Sequence, residues 1–332
     1  VKHGNVAVFI PHLGCPQQCS FCNQRSISGH QSAPSPAQVG ALLQAAAGQA
    51  GRPDRSCEIA FFGGSFTAID PRYREQLLDA AQPFLQSGAF TGIRISTRPD
   101  CLDESLCRHL KERGVTAIEL GAQCMDDEVL AKNRRGHTAA QVKKASAAIK
   151  KAGLQLGLQM MTGLYGSSAQ KDLQTAQSFC KIEPDTVRVY PTIVMAGTAL
   201  CDLYRRGDYL PPSLEQAVEQ VSQLLQLFYA RHIPVIRVGL HRDEGLLSGM
   251  VAGPWHPAFR ELCESRIYAR ALGRALKDVP PGRVAVAVHP SQISRLCGHG
   301  GQNRAFFAAQ GWQLRPVPDP GVPPFTLKLV RT

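Results

Sequence analysis

The feature that most constrains this chain is a run of three cysteines, Cys15, Cys19 and Cys22, spaced C-x3-C-x2-C directly after the apolar stretch Val6–Ile10. A strand that delivers the chain into such a loop holds three sulfurs around one centre. Thiolates are soft ligands, suited to zinc, Cu(I) or iron–sulfur clusters. A structural zinc site needs a fourth ligand at short, recognisable spacing. The next His is His30 and the next Cys is Cys57. A cubic [4Fe–4S] cluster held by three cysteines keeps one iron open to a further ligand. A zinc knuckle and a redox thiol set use similar spacings, so the loop by itself leaves those readings open.

The rest of the composition narrows the setting. The 332 residues suffice for one large α/β domain and a small appendage. No run of 18 apolar residues suggests a membrane span, and no basic segment followed by an apolar stretch suggests a secretory signal. Besides the clustered cysteines, eight more are scattered, from Cys57 to Cys297, and read as buried free thiols. An exposed cluster and free thiols both call for a reducing compartment, so a cytoplasmic location is expected. The formal charge of +11 fits a polyanionic partner such as RNA, and equally a generally basic proteome.

Apolar runs alternate with helical patterns along most of the chain, the mark of repeated βα units around a parallel sheet. Strands are expected near Val6–Pro11, Cys57–Phe62, Gly92–Thr97, Ala117–Ala122, Leu154–Met161 and Thr186–Tyr190, with Ile233–Val238 as one more. Helices are expected near Pro36–Ala50, Pro71–Gln86, Asp103–Arg113, Thr138–Gly153, Ala169–Lys181, Leu214–Arg231 and Ala258–Ala275. Gln24–Ser35 and Met195–Pro212 read as loops, and His241–Pro257 as irregular. Val284–Val288 and Thr326–Val330 read as strands of a small terminal layer. The expected fold is α/β: a partial (β/α)6 TIM-like barrel over residues 1–240, with a small C-terminal α+β extension over 241–332 that closes it. In such folds the site is built from loops at the carboxyl ends of strands. The cysteine loop, the Gly63-Gly64 turn, Arg98-Pro99-Asp100 and Gln123 all fall there.

Several ordered motifs accompany the cysteines: Phe62-Gly63-Gly64-Ser65-Phe66-Thr67, Ile95-Ser96-Thr97-Arg98-Pro99-Asp100, Leu120-Gly121-Ala122-Gln123, Arg135-Gly136-His137-Thr138 and Tyr190-Pro191-Thr192. Two glycines after a strand let backbone approach a ligand closely. Together these motifs resemble the radical S-adenosylmethionine (SAM) enzymes, and within them the radical SAM domain of the catalytic subunit of Elongator and its prokaryotic relatives, over about residues 3 to 240. The resemblance implies a radical SAM barrel whose [4Fe–4S] cluster is ligated by Cys15, Cys19 and Cys22. It implies reductive cleavage of SAM to a 5′-deoxyadenosyl radical that abstracts hydrogen from a substrate, here a tRNA nucleoside related to wobble uridine. Gly63, Gly64 and Ser65 would hold the SAM amine, Ser96 would lie near the ribose, and Gln123 and Arg135 near the carboxylate. A guanidinium is a natural bidentate partner for that group. Phe21 would pack on the adenine. A one-electron donor such as flavodoxin or ferredoxin is implied as a partner.

Two departures matter. Many members carry an acidic residue after the glycines, where this chain has Ser65. The Elongator subunit also carries an acetyltransferase domain, and the residues after Ala275 are too few for one, so carboxymethyl-uridine formation does not carry over. Gly239–Arg270, with His241, Arg242, Asp243, Glu244, Trp255, His256, Glu264 and Arg266, is expected near the substrate or as a surface loop and salt-bridged helix. Lys143, Lys144, Lys150 and Lys151 read as a solvated helix face. A small-molecule substrate such as a porphyrin precursor, and a non-catalytic zinc-binding RNA module, remain rival readings.

Overall fold

The structure, a computed structural model, describes residues 2–10, 13–15, 18–23, 32–50, 55–240 and 244–330. The chain begins with β1 (Lys2–Ile10), α1 (Pro36–Ala50), β2 (Arg55–Gly63), α2 (Pro71–Gln86), β3 (Ile93–Thr97), α3 (Glu104–Glu112) and β4 (Val115–Gln123). It continues with α4 (Asp127–Lys132), α5 (Ala139–Lys151), β5 (Gln155–Thr162), α6 (Ala169–Ile182), β6 (Thr186–Pro191), β7 (Val194–Met195), α7 (Ala199–Arg206), α8 (Leu214–Ala230) and β8 (Val235–Val238). The last third holds α9 (Glu244–Gly249), β9 (Met250–Ala252), α10 (Phe259–Ala275), β10 (Gly282–Val288), α11 (Ile293–Cys297), α12 (Gln302–Ala309), β11 (Trp312–Pro318) and β12 (Lys328–Val330).

Seven strands form one parallel sheet in the order β1-β2-β3-β4-β5-β6-β8, curled into a partial barrel. The period-two alternation of strands sorts its two faces. Ile59, Phe61, Ile93, Ile95, Ile118, Leu120, Leu156, Leu158, Val187 and Val189 are buried under helix residues such as Leu77, Leu110, Val142, Ile149, Phe179 and Leu225. The alternate, concave face is polar. Arg94 reaches Glu58 at 2.8 Å and Glu119 at 2.6 Å, and Arg188 reaches Glu119 at 3.3 Å. A Cβ at Gly157 would stand 2.1 Å from Glu119 Oε2, so the absent side chain makes room for that carboxylate.

Helix ends follow their capping residues. Asp70, Asp103, Ser168, Thr198 and Ser213 each accept a backbone N–H of their helix's first turn, and Thr138 forms a capping box with Gln141. The structure corrects the expected loop over Met195–Pro212. It contains β7 and α7, the latter started by Thr198 and stopped by Gly207 in the left-handed conformation. The expected irregular stretch holds α9 and β9, and β9 pairs with β7. The helix α4, capped by Asp126, was not anticipated. Pro11, most of the loop from Gln24, and His241, Arg242 and Asp243 lie outside the described residues.

α10 ties the barrel to a second layer. Its Phe259, Cys263 and Ile267 join the barrel core, while Tyr268 and Leu272 join a smaller core with Val286, Val288, Leu296, Phe307 and Leu314. That layer is a three-stranded sheet, β11-β10-β12, with β10 parallel to β11 and antiparallel to β12. Buried Glu264 pairs with Arg260 at 2.8 Å and with Arg295 of α11. Among the described residues, no helix is long and apolar enough to cross a membrane.

Candidate active site

The cysteine loop and the glycine turn lock together backbone to backbone. Gly64 N–H donates to Ile10 O at 2.8 Å, and Ser65 N–H to Leu13 O at 3.1 Å. A Cβ on Gly64 would stand 1.9 Å from Leu13 O, and one on Gly14, whose φ is +72°, would stand 2.2 Å from Ser65 O. Neither position accepts a side chain without moving main chain. Ser65 is fully buried. Its hydroxyl lies 2.8 Å from Thr97 Oγ1 and accepts the Arg98 N–H at 3.2 Å, so its side chain braces the turn against the end of β3. Ser96 shares a narrow crevice with Phe62, Gly64 and Ser65.

Arginines stand behind the sulfurs. Arg135 is buried; it donates to Cys19 Sγ at 3.0 Å and to Gly121 O at 2.5 Å. Arg98 holds Asp100 through two bonds of 2.9 and 2.8 Å and donates to Arg135 O. Among the described residues, Arg135 Nε and Arg98 Nη1 are buried and have no hydrogen-bond partner. Gln123 lies at the end of β4 with φ +63° and accepts from Gln159 Nε2 at 3.1 Å. His137 sits beneath them, its Nε2 3.1 Å from Ala122 O. Burial, with Arg135 beside it, pushes its pKa down to about 4, so the ring is neutral near pH 7.

The remainder of the loop is pinned from the opposite side. Ser20 bonds Asn133 through its N–H at 3.1 Å and its hydroxyl at 2.9 Å, and accepts from Leu200 N–H at 2.7 Å. Asn133, fully buried, also donates to Val129 O and Tyr165 O. Asn23 donates to Ala196 O at 3.1 Å. Phe21 packs against two small clusters, one with Cys124 and Leu130, the other with Leu200 and Tyr209. The structure thus brings Cys19, Gly121 and Arg135 together, sets Gly63, Gly64 and Ser65 under the loop, and places Phe21 on its far side. Cys15 is exposed, Cys19 buried and Cys22 between. Among the described residues no three His, Cys, Asp or Glu side chains form a metal cage.

The donor set suits an iron–sulfur cluster. Among the described residues, the loop offers thiols as its metal-binding side chains, a guanidinium N–H aimed at the Cys19 sulfur, and buried Arg135 Nε and Arg98 Nη1 with no partner. Hydrogen bonds to sulfur are among the levers that tune such clusters. Sequence reasoning missed Asn133, Thr97 and Arg98 as supports of the loop, and missed the Glu58–Arg94–Glu119–Arg188 ladder. A charged residue centred in each of four apolar strands was its visible trace.

Comparison with known proteins agrees with this geometry. Residues 9–178 match the radical SAM superfamily profile, and residues 184–269 match the radical SAM C-terminal domain. The chain is 31% identical over 192 residues to the tRNA uridine(34) acetyltransferase of Methanocaldococcus jannaschii, covering 52% of this chain and 36% of that protein. It is 26% identical over 298 residues to Elongator complex protein 3 of Saccharomyces cerevisiae, covering 80% of this chain and 50% of that protein. It therefore spans about half or less of these relatives' length. The solved structure of the archaeal Methanocaldococcus infernus Elp3 superposes with a TM-score of 0.63 at 23% identity, over 85% of this chain and 70% of that one, a likeness of fold. The seven-stranded partial barrel is the fold of a radical SAM enzyme, and the chain, matched over residues 9–178, belongs to the radical SAM superfamily.

Proposed function

We propose that this enzyme uses SAM and a [4Fe–4S] cluster to abstract hydrogen from a tRNA nucleoside, in a modification related to that of wobble uridine. Cys15, Cys19 and Cys22 would hold the cluster. When bound, it supplies the electron for reductive cleavage of SAM. The chain's own residues orient and enclose. Backbone carbonyls of the Gly63-Gly64-Ser65 turn would accept from the SAM amine, and Ser96, which lines the same crevice, would lie near the ribose. Gln123 and Arg135 close on the carboxylate, for which a guanidinium is the matching donor. Phe21 packs on the adenine edge. The buried arginines hold N–H groups fixed in advance, so little reorganisation accompanies binding.

The observation that carries this reading is the interlock of Leu13 and Gly14 with Gly64 and Ser65, which fixes the thiol loop onto the turn expected to hold SAM. The substrate half rests on the net charge of +11, the polar concave face and the similarity to proteins named tRNA uridine(34) acetyltransferase. We place residues 241–332 as the extension that closes the open side of a barrel spanning 1–240, and the enzyme in the cytoplasm, with a flavodoxin or ferredoxin as reductant.

Anaerobic reconstitution tests the cluster. About four irons per chain are expected, with 5′-deoxyadenosine released by dithionite and SAM, and both lost in Cys19→Ala. One zinc per chain and no SAM cleavage would refute it. Comparing tRNA nucleosides from a deletion strain tests the substrate. Unchanged nucleosides, with binding of tRNA that ignores salt, would favour a small molecule.

A further inference from the structure

The residues after α10 contain a motif that the barrel chemistry leaves unused. β10 runs through α11, the loop Gly298-His299-Gly300-Gly301 and α12 into β11, which lies parallel to β10. A G-x-x-G loop between two helices, carried on a β-α-α-β unit over a three-stranded sheet, is the frame on which KH modules clamp about four nucleotides of a single strand.

The loop is built for backbone contact. Gly298, Gly300 and Gly301 have φ of +86°, +58° and +79°. At Gly298 a Cβ would stand 2.6 Å from Asn303 N, so packing excludes a side chain. At Gly300 and Gly301 a Cβ would meet nothing within 4 Å. There the dihedral alone favours glycine, and the result is an uncovered stretch of main chain facing open space. The loop is held in shape from beneath. Asn303 donates to Ser265 O at 3.0 Å and Leu296 O at 3.1 Å, and Gly301 N–H donates to Gly298 O at 2.9 Å. His299 stacks edge-on against His256 and approaches Glu261 at 3.3 Å.

Charge and aromatic surface agree with a nucleic-acid strand. From residue 279 to the end of the sequence, Asp319 is the only acidic residue, against Arg283, Arg304, Arg315, Lys328 and Arg331; Arg295 is already paired with Glu264 of α10, and Glu261 of α10 stands beside His299. The eight-residue α12, which starts at the loop, has no acidic residue. Phe306 on α12 is 60% exposed while its neighbour Phe307 is buried in the small core. An exposed ring on the helix that leaves the loop offers a base a face to stack on.

We propose that this unit is a KH-like clamp for single-stranded RNA, which seats a sugar–phosphate stretch on Gly298–Gly301 while another part of the same RNA reaches the barrel. The last clause rests on the reading of RNA as substrate; the clamp stands on residues outside the barrel.

The test compares full-length wild type with Gly300→Asp and Gly300→Asn by fluorescence anisotropy, using a short labelled single-stranded RNA, its duplex with the complement, and a tRNA transcript. Asn and Asp tolerate the left-handed backbone alike, so their difference reads charge and not strain. The expected result is binding of the single strand about 10-fold weaker in Gly300→Asp, within about two-fold of wild type in Gly300→Asn, and weaker again in Gly300→Asp with Arg304→Glu. The duplex should bind about 10-fold more weakly than the single strand. Gly300→Asp binding like Gly300→Asn, or equal affinity for duplex and single strand, overturns the clamp. If that happens while a deletion strain lacks a tRNA nucleoside, the substrate reading stands without the clamp. If the charge effect appears while tRNA nucleosides are unchanged, the clamp stands and the substrate reading falls.

Discussion

Replacing Arg94 by Met removes the centre of the concave ladder with little change in length or apolar volume. Arg94 is 6% exposed, and its partners Glu58 and Glu119 are 7% and 3% exposed, at 2.8 and 2.6 Å. At about 4 Å, two unit charges attract by about 4 kcal/mol when the effective dielectric is near 20. Removing one member of a buried set typically costs about 3–5 kcal/mol, because the partners' desolvation is no longer offset. Arg188 stays beside Glu119 at 3.3 Å, and Thr116 donates to Glu58 at 2.7 Å, so the lower part of that range is expected. With unfolding entropy near 2.1 cal/mol/K per residue, a chain of this length changes by roughly 0.7 kcal/mol/K, which converts a loss of about 3–4 kcal/mol to about 4–6 °C in Tm. Urea unfolding followed by circular dichroism, with an unchanged slope, measures it. Adding Glu58→Gln to Arg94→Met should restore at least about 1 kcal/mol, since it removes a buried charge that repels Glu119 once Arg94 is gone, and leaves Arg188 its pairing with Glu119. A cost under about 1 kcal/mol for Arg94→Met, the value of a solvated pair, would refute the account, as would a double variant no more stable than the single.

Two further outcomes follow from the site. Gly64→Ala puts a methyl group 1.9 Å from Leu13 O, so the thiol loop must shift; reconstituted iron should fall well below that of wild type while circular dichroism stays near it, and full iron loading would show the interlock to be dispensable. His137 takes up no proton in the folded chain until about pH 4, whereas unfolded His titrates near 6.5. The unfolded state therefore binds the extra proton between these values, and stability falls as pH drops through that window, by up to about 3 kcal/mol. His137→Gln should flatten this slope in urea midpoints measured at neutral pH and near pH 4.5, and an unchanged slope would place the proton uptake elsewhere.

The elements that depend on local chemistry were legible in the sequence. Thr138 with Gln141, Asp103 with Gly114, and Pro71 behind Asp70 mark their helices wherever the chain goes. The cysteine spacing and the glycine pair mark the candidate site for the same reason. Legible signals were also passed over: Thr198 and Gly207 bracket α7, yet its eight residues sit among glycines and prolines that suggested a loop. What could not be read was pairing across distance. Arg94 meets Glu58 and Glu119 only because parallel register aligns three strands, and Asn133 meets Ser20 across 113 positions. Arg135 was expected at a ligand carboxylate; its contact with the Cys19 sulfur depends on the loop fold, which no spacing specifies. The lysines of α5 were read as a solvated face; among the described residues Lys150 donates to Ile182 O and Glu183 O and Lys151 to Glu104, all at the surface.

The close seating of Gly14 on the main chain of Ser65, and of Gly64 on that of Leu13, has a consequence for grafting and for natural drift alike. With no side chain between them to absorb a change, the segment after β1 and the segment after β2 behave as one part. A relative's thiol loop transplanted alone should fail to settle, whereas β1 and β2 exchanged together with both their trailing turns should carry the metal-holding capacity with them.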